Sequence, residues 1–75
     1  MPKLPRISSR EAIRALERLG FEVVRQTGSH IVMKQTTEEG KIGCVVPLHK
    51  ELKIGTLSGI LRQAQITVEE FIENL

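Results

Sequence analysis

Two histidines, one cysteine, nine glutamates and no aspartate are the groups from which this chain could build a proton-handling site. His30 follows Gly28-Ser29 and opens the alternating run His30-Ile31-Val32-Met33-Lys34. Alternation puts its imidazole with Val32 and Lys34 on the face opposite Ile31 and Met33. An imidazole has an ordinary pKa of about 6.5, so an accessible one can take or give a proton near neutral pH. Most solitary histidines do neither, and position alone does not tell a proton carrier from an inert surface side chain. His49, in Pro47-Leu48-His49-Lys50, is the second candidate acid or base, provided that its loop folds back beside the strand carrying His30. Ser29 is expected to be a turn serine and not an activated nucleophile, because adjacent strand residues point to opposite faces. Cys44 lies among Ile42, Val45 and Val46, where a buried structural thiol is expected. A zinc site needs three or four ligands, and the histidines, cysteine and glutamates stand at no such spacing, so no metal centre or other cofactor is expected.

Anion handling has a second set of candidates. Lys50 and Lys53 precede Gly55-Thr56, where a second helix is expected to begin. Free backbone N–H groups, the helix dipole and two ammonium groups would converge there on a phosphate. The plainer account is a glycine-containing loop leading to a threonine N-cap. Arg10, Arg14 and Arg18 recur at i, i+4 and i+8 on the first helix, and like charges so spaced repel by a few tenths of a kcal/mol per pair. Such a stripe suits a polyanion or an acidic partner, unless Glu11 and Glu17 simply neutralise it.

These side chains need elements to hold them. Pro2 and Pro5 keep the first residues out of a helix, and Ser8-Ser9-Arg10-Glu11 supplies a capping box that starts one at about residues 9–19. Ala12, Leu16 and Leu19 give its apolar stripe, and Gly20 stands where a left-handed cap belongs. From Phe21 the period becomes two. Residues 21–26 and 30–35 form two strands around Thr27-Gly28-Ser29, with Gln26 opposite His30, Val24 opposite Val32 and Glu22 opposite Lys34. That register sends Phe21, Val23, Ile31 and Met33 to the core. Lys41–Val46 is a third strand ended by Pro47, and Leu57, Ile60, Leu61 and Ala64 mark a second helix over about Thr56–Gln63. Thr67-Val68-Glu69-Glu70 opens a short last helix that packs Phe71 and Leu75. The expected fold is α+β: an α-β-β-β-α two-layer sandwich with a three-stranded antiparallel sheet and a short extra C-terminal helix, all in one domain over 1–75.

Composition narrows the function. The 75 residues are 40% hydrophobic and 27% charged with net charge +2, and a chain this short buries only about 60% of its unfolded surface. A deep cofactor cleft of roughly 300–1,000 Å³ would hollow out its core, so chemistry belongs on an open surface. One cysteine forbids an internal disulfide and suits a reducing cytoplasm. Neither a membrane-spanning run nor a signal peptide is visible, so no membrane role is expected. Residues 1–37 carry seven Lys and Arg against three Glu, and the remainder four against six, an asymmetry that points the first half toward a polyanion. With no Trp or Tyr and two Phe, base stacking is a poor mode of recognition.

Gly20-Phe21 after the amphipathic helix, Gly28-Ser29-His30 opening the second strand, Val46-Pro47-Leu48-His49 closing the third, and Gly55-Thr56-Leu57 with Ile60-Leu61 and Ala64 resemble the HicA toxin family of prokaryotic toxin–antitoxin systems. The match runs from about Ser9 to Ile66. The resemblance implies a double-stranded-RNA-binding-domain-like fold and an endoribonuclease that cleaves mRNA, with its essential histidine at His30. It also implies a HicB-type antitoxin that masks the active surface, for which the basic first helix and the His30 face are candidate contacts. Metal-independent cleavage of RNA uses the 2′-hydroxyl as nucleophile. In that chemistry His30 is a general base or acid, Lys34, Lys50 and Lys53 bring charge to the phosphate, Arg10 and Arg14 hold the backbone, and His49 is a second acid or base. The alternative is a non-catalytic double-stranded-RNA-binding or protein-interaction module of the same fold; a net charge of +2 is low for a free-standing RNA binder and leaves room for weak RNA affinity or for a family member that has lost toxicity.

Overall fold

The computed structural model describes residues 3–75, so Pro2 lies outside the described residues. Helix α1 spans Ser9–Arg18. Its capping box forms: Ser8 Oγ accepts from the Glu11 N–H at 3.1 Å, and the Glu11 carboxylate accepts from the Ser8 N–H at 3.2 Å. Such a cap contributes about 1 kcal/mol. The buried side of α1 is Ser9, Ala12, Ala15 and Leu16, and the chain leaves the helix through Gly20 at a φ of +100°.

Three strands follow, β1 (Glu22–Gln26), β2 (His30–Thr37) and β3 (Gly40–Pro47), in one antiparallel sheet of order β1-β2-β3. Helices α2 (Ile54–Ala64) and α3 (Val68–Glu73) complete the chain, and Gln65, at a φ of 58°, ends α2. This is the expected α+β order with its short last helix. Ile31, Met33, Cys44 and Val46 fill one sheet face and pack with Leu16, Leu57, Ile60, Leu61 and Phe71 from the helices. His30, Lys34 and Val45 are exposed on the opposite, helix-free face, with Val32 half-buried between them.

The β1–β2 register agrees with expectation at one end only. Glu22 pairs with Lys34 and Val23 with Met33, but Arg25 pairs with Val32 and Gln26 with Ile31, which leaves Val24 as an extra residue in a β-bulge. The Thr27 N–H donates to the His30 carbonyl at 2.9 Å, so the loop is Gly28-Ser29 alone. The bulge absorbs the residue that the shorter loop releases. A second correction concerns Val23. It shares the core-side parity of Met33 yet is 44% exposed, because the helices cover β2 and β3 while every residue of β1 stays exposed.

Helix α2 begins at Ile54, two residues before the expected Thr56. Its N-cap is Lys53, without a side-chain cap, and the Lys53 carbonyl accepts from the Leu57 N–H at 2.9 Å. On the far side of α2, the Gln63 side chain accepts from the Val45 N–H at 3.2 Å and so occupies a donor of the β3 edge. Phe71 is buried as expected, whereas Leu75 is 43% exposed. The end of α3 is held instead by Arg18, which donates to the Asn74 carbonyl at 2.7 Å.

Candidate active site

His30 opens β2 opposite Pro47 of β3, at one end of the sheet. Its backbone is tied to the turn, since its N–H donates to Thr27 Oγ1 at 3.1 Å and its carbonyl accepts from the Thr27 N–H. The imidazole is exposed, and its Nδ1 lies 2.9 Å from Ser29 Oγ. This contact corrects the expected disposition of Ser29. Opposite-face alternation holds within a strand, but Ser29 precedes the first residue of β2 and its side chain folds back onto its neighbour. A hydroxyl can accept from Nδ1–H or donate to a bare Nδ1. With Ser29 accepting, the neutral ring leaves Nε2 a bare base, and the imidazolium, which donates from both nitrogens, carries on Nε2 the proton of an acid.

His49 reaches the same end of the sheet by a separate route. The Leu48 N–H donates to the Ser29 carbonyl at 2.9 Å, so the chain beyond β3 stays beside the His30 turn. The His49 backbone is then gripped by Ser9. Its N–H donates to Ser9 Oγ at 2.7 Å, and its carbonyl accepts from the Ser9 N–H at 3.1 Å. Ser9 Oγ also lies 3.0 Å from the His49 carbonyl and within reach of the Pro47 carbonyl, so its single proton has two acceptors at hand.

The cations divide between two faces. Arg10, Leu48, His49 and Lys50 line an open groove of about 500 Å³. It adjoins a second groove, of about 400 Å³, between α1 and β1, where Arg10 and Leu48 recur with Arg14, Ile13, Val23 and Gln26. His49 and Lys53 share a third recess of about 280 Å³ with Glu51 and Thr56. Arg10, Arg14, Lys50 and Lys53 thus form a run along the helix side, centred on His49. Lys34 stands apart from that run. It lies on the His30 face of the sheet, between Glu22 and Gly43.

Burial pushes the Cys44 thiol up from 9.0 to about 11, which leaves it protonated and inert near neutral pH. Among the described residues no group of three His, Cys, Asp or Glu side chains comes together to hold a metal ion. No helix is long and apolar enough to cross a membrane, again among the described residues.

The sequence names both histidines and the cations as candidates but does not anticipate the Ser9 contacts or the Ser29–His30 contact. Adjacency of Ser29 and His30 at a turn was a local signal for the second. The hydroxyl of Ser9 bonds residues 38 and 40 positions away, and no local pattern announces that.

No curated protein matches the chain. A family model described as HicA toxin of bacterial toxin-antitoxin matches residues 9–66. That span starts at Ser9, takes in the Ser29–His30 turn, the Pro47–His49 segment and the whole of α2, and so covers the elements that build the site; the chain belongs to the HicA toxin family.

Proposed function

We propose that this toxin is a metal-independent endoribonuclease that cuts mRNA, with His30 as its acid–base group. The observation that carries the reading is an exposed imidazole at an open sheet end, with Nδ1 engaged by Ser29 and Nε2 left to meet a substrate. A second histidine held at the same end and a run of cations leading to it support it further. An open surface of this kind suits a polymer better than an enclosed small molecule.

In the proposed reaction the base removes the 2′-hydroxyl proton and O2′ forms a bond to the adjacent phosphorus. The P–O5′ bond breaks, and the acid gives its proton to the departing O5′. The products are a 2′,3′-cyclic phosphate and a 5′-hydroxyl, with no water consumed. His30 fills one role and His49 the other. The RNA backbone crosses the sheet end, with Lys34 on the His30 side and Arg10, Arg14, Lys50 and Lys53 on the helix side holding neighbouring phosphates. One positioned acid or base contributes roughly 10²–10⁴ in rate, and nearby cations add electrostatic stabilisation. The family places an antitoxin against this toxin, and we assign that role to a HicB-type protein covering the His30 face in the cytoplasm.

The test is the chemistry of the ends. Cleavage in the presence of EDTA should leave 2′,3′-cyclic phosphate and 5′-hydroxyl termini, and a 2′-deoxy nucleotide at the cut site should stop it. Cutting of the deoxy substrate, or loss of cutting on chelation, contradicts the mechanism.

A further inference from the structure

Among the described residues Ser9 is the one buried polar side chain, 2% exposed in a core otherwise apolar. It is not the cap of α1, because Ser8 fills that place. Its hydroxyl instead turns inward to a different segment, accepting from the His49 N–H and facing the Pro47 and His49 carbonyls, while its own N–H binds the His49 carbonyl. The segment so held is the one whose other side is bound to the His30 turn, through Pro47 opposite His30 and the Leu48 N–H on the Ser29 carbonyl. Residues 47–49 therefore run between two supports, the His30 turn on one side and the start of α1 on the other.

We propose that Ser9 is a positioning residue: its buried hydroxyl latches the Pro47–His49 segment to the start of α1 and thereby sets His49 relative to His30. A fold needing only to bury α1 would place an alanine here, as it does at Ala12 and Ala15. A hydroxyl in such surroundings is retained only when its partners are satisfied. The catalytic consequence rests on the ribonuclease reading above, whereas the latch itself does not.

The experiment compares the full chain with Ser9→Ala, Ser9→Thr and Ser8→Ala by amide hydrogen exchange, thermal unfolding and steady-state RNA cleavage. Ser8→Ala removes the cap of the same helix without touching the latch, so it serves as the structural control. Ser9→Ala should lower protection of the His49 and Leu48 amides by roughly tenfold more than Ser8→Ala does. On RNA it should lower kcat by about tenfold with KM unchanged. Ser9→Thr, which keeps the hydroxyl, should restore both. If Ser9→Ala does not fold, Ser9→Cys replaces it, since a thiol fills similar space with a weak hydrogen-bonding group. Equal loss of protection in the Ser9 and Ser8 variants overturns the latch. A kcat unchanged in Ser9→Ala overturns its role in the reaction. If the wild type cuts no RNA, the ribonuclease reading fails by itself, and the latch stands or falls on exchange alone.

Discussion

Alkaline pH should destabilise this protein through Cys44, and the size of the effect follows from where the thiol sits. Cys44 is 2% exposed, paired with Met33 under the helices, and its pKa rises from 9.0 to about 11 through burial. A thiol that holds its proton more tightly in the folded chain binds more protons there than in the unfolded chain between those two values. Stability is then fully present below about pH 9 and falls as pH rises toward the folded pKa. Two units correspond to roughly 2.7 kcal/mol in all, of which about 2 kcal/mol is gone by about pH 10.5. A domain of this size has on the order of 5 kcal/mol to lose. The assay is urea unfolding of the wild type and Cys44→Ala at about pH 8 and about pH 10.5, where every other pH-dependent group is common to both chains. With a urea slope near 1 kcal/mol per M, the wild-type midpoint should drop by about 2 M more than that of Cys44→Ala. Equal pH dependence in the two proteins would refute the buried protonated thiol. It would also reopen the question of whether Cys44 is chemically inert.

Other sites give expectations of different kinds. Gly20→Ala puts a Cβ at a φ of +100° and 2.6 Å from Gln35 Nε2, which donates to the Leu19 carbonyl at 3.0 Å. The strain and the lost hydrogen bond together should cost about 2–3 kcal/mol and lower Tm by roughly 8–24 °C. Gly55→Ala, in open space at the start of α2, should instead raise Tm slightly; differential scanning calorimetry of both variants checks the contrast in sign. Arg10 lies in both cationic grooves, so Arg10→Ala should weaken RNA binding and reduce the slope of log affinity against log salt by about one. An unchanged slope in a filter-binding titration would remove Arg10 from the phosphate path.

Local rules made much of the fold legible. The capping boxes at Ser8/Glu11 and Thr67/Glu70, the left-handed Gly20, and the strands ending at Pro47 are all decided by residues close in sequence. Where the structure departs, the deciding contact is long-range or geometric. Val24 bulges because a two-residue loop and a fixed Glu22–Lys34 pair leave one residue over, and periodicity alone does not count loop residues. Val23 has core parity but no helix above it, a matter of how far α1 and α2 reach across the sheet. The site divides in the same way. His30 and Lys34 share a face as alternation requires. The gathering of His49, Arg10 and Lys50 depends on Ser9 joining α1 to the segment after β3, and a serine in a helix N-terminal turn reads as a cap, not as a latch.

The central claim is that His30 performs chemistry on RNA. Its most direct test is cleavage of a mixed single-stranded and structured RNA by the wild type and by His30→Ala, both verified as folded, at low salt with EDTA present. The account predicts that the wild type cuts and His30→Ala does not, while both bind the RNA alike. Equal cutting by the two, or binding by both with cutting by neither, contradicts it, and the second result would make this chain a binding module that keeps the toxin's fold without its reaction.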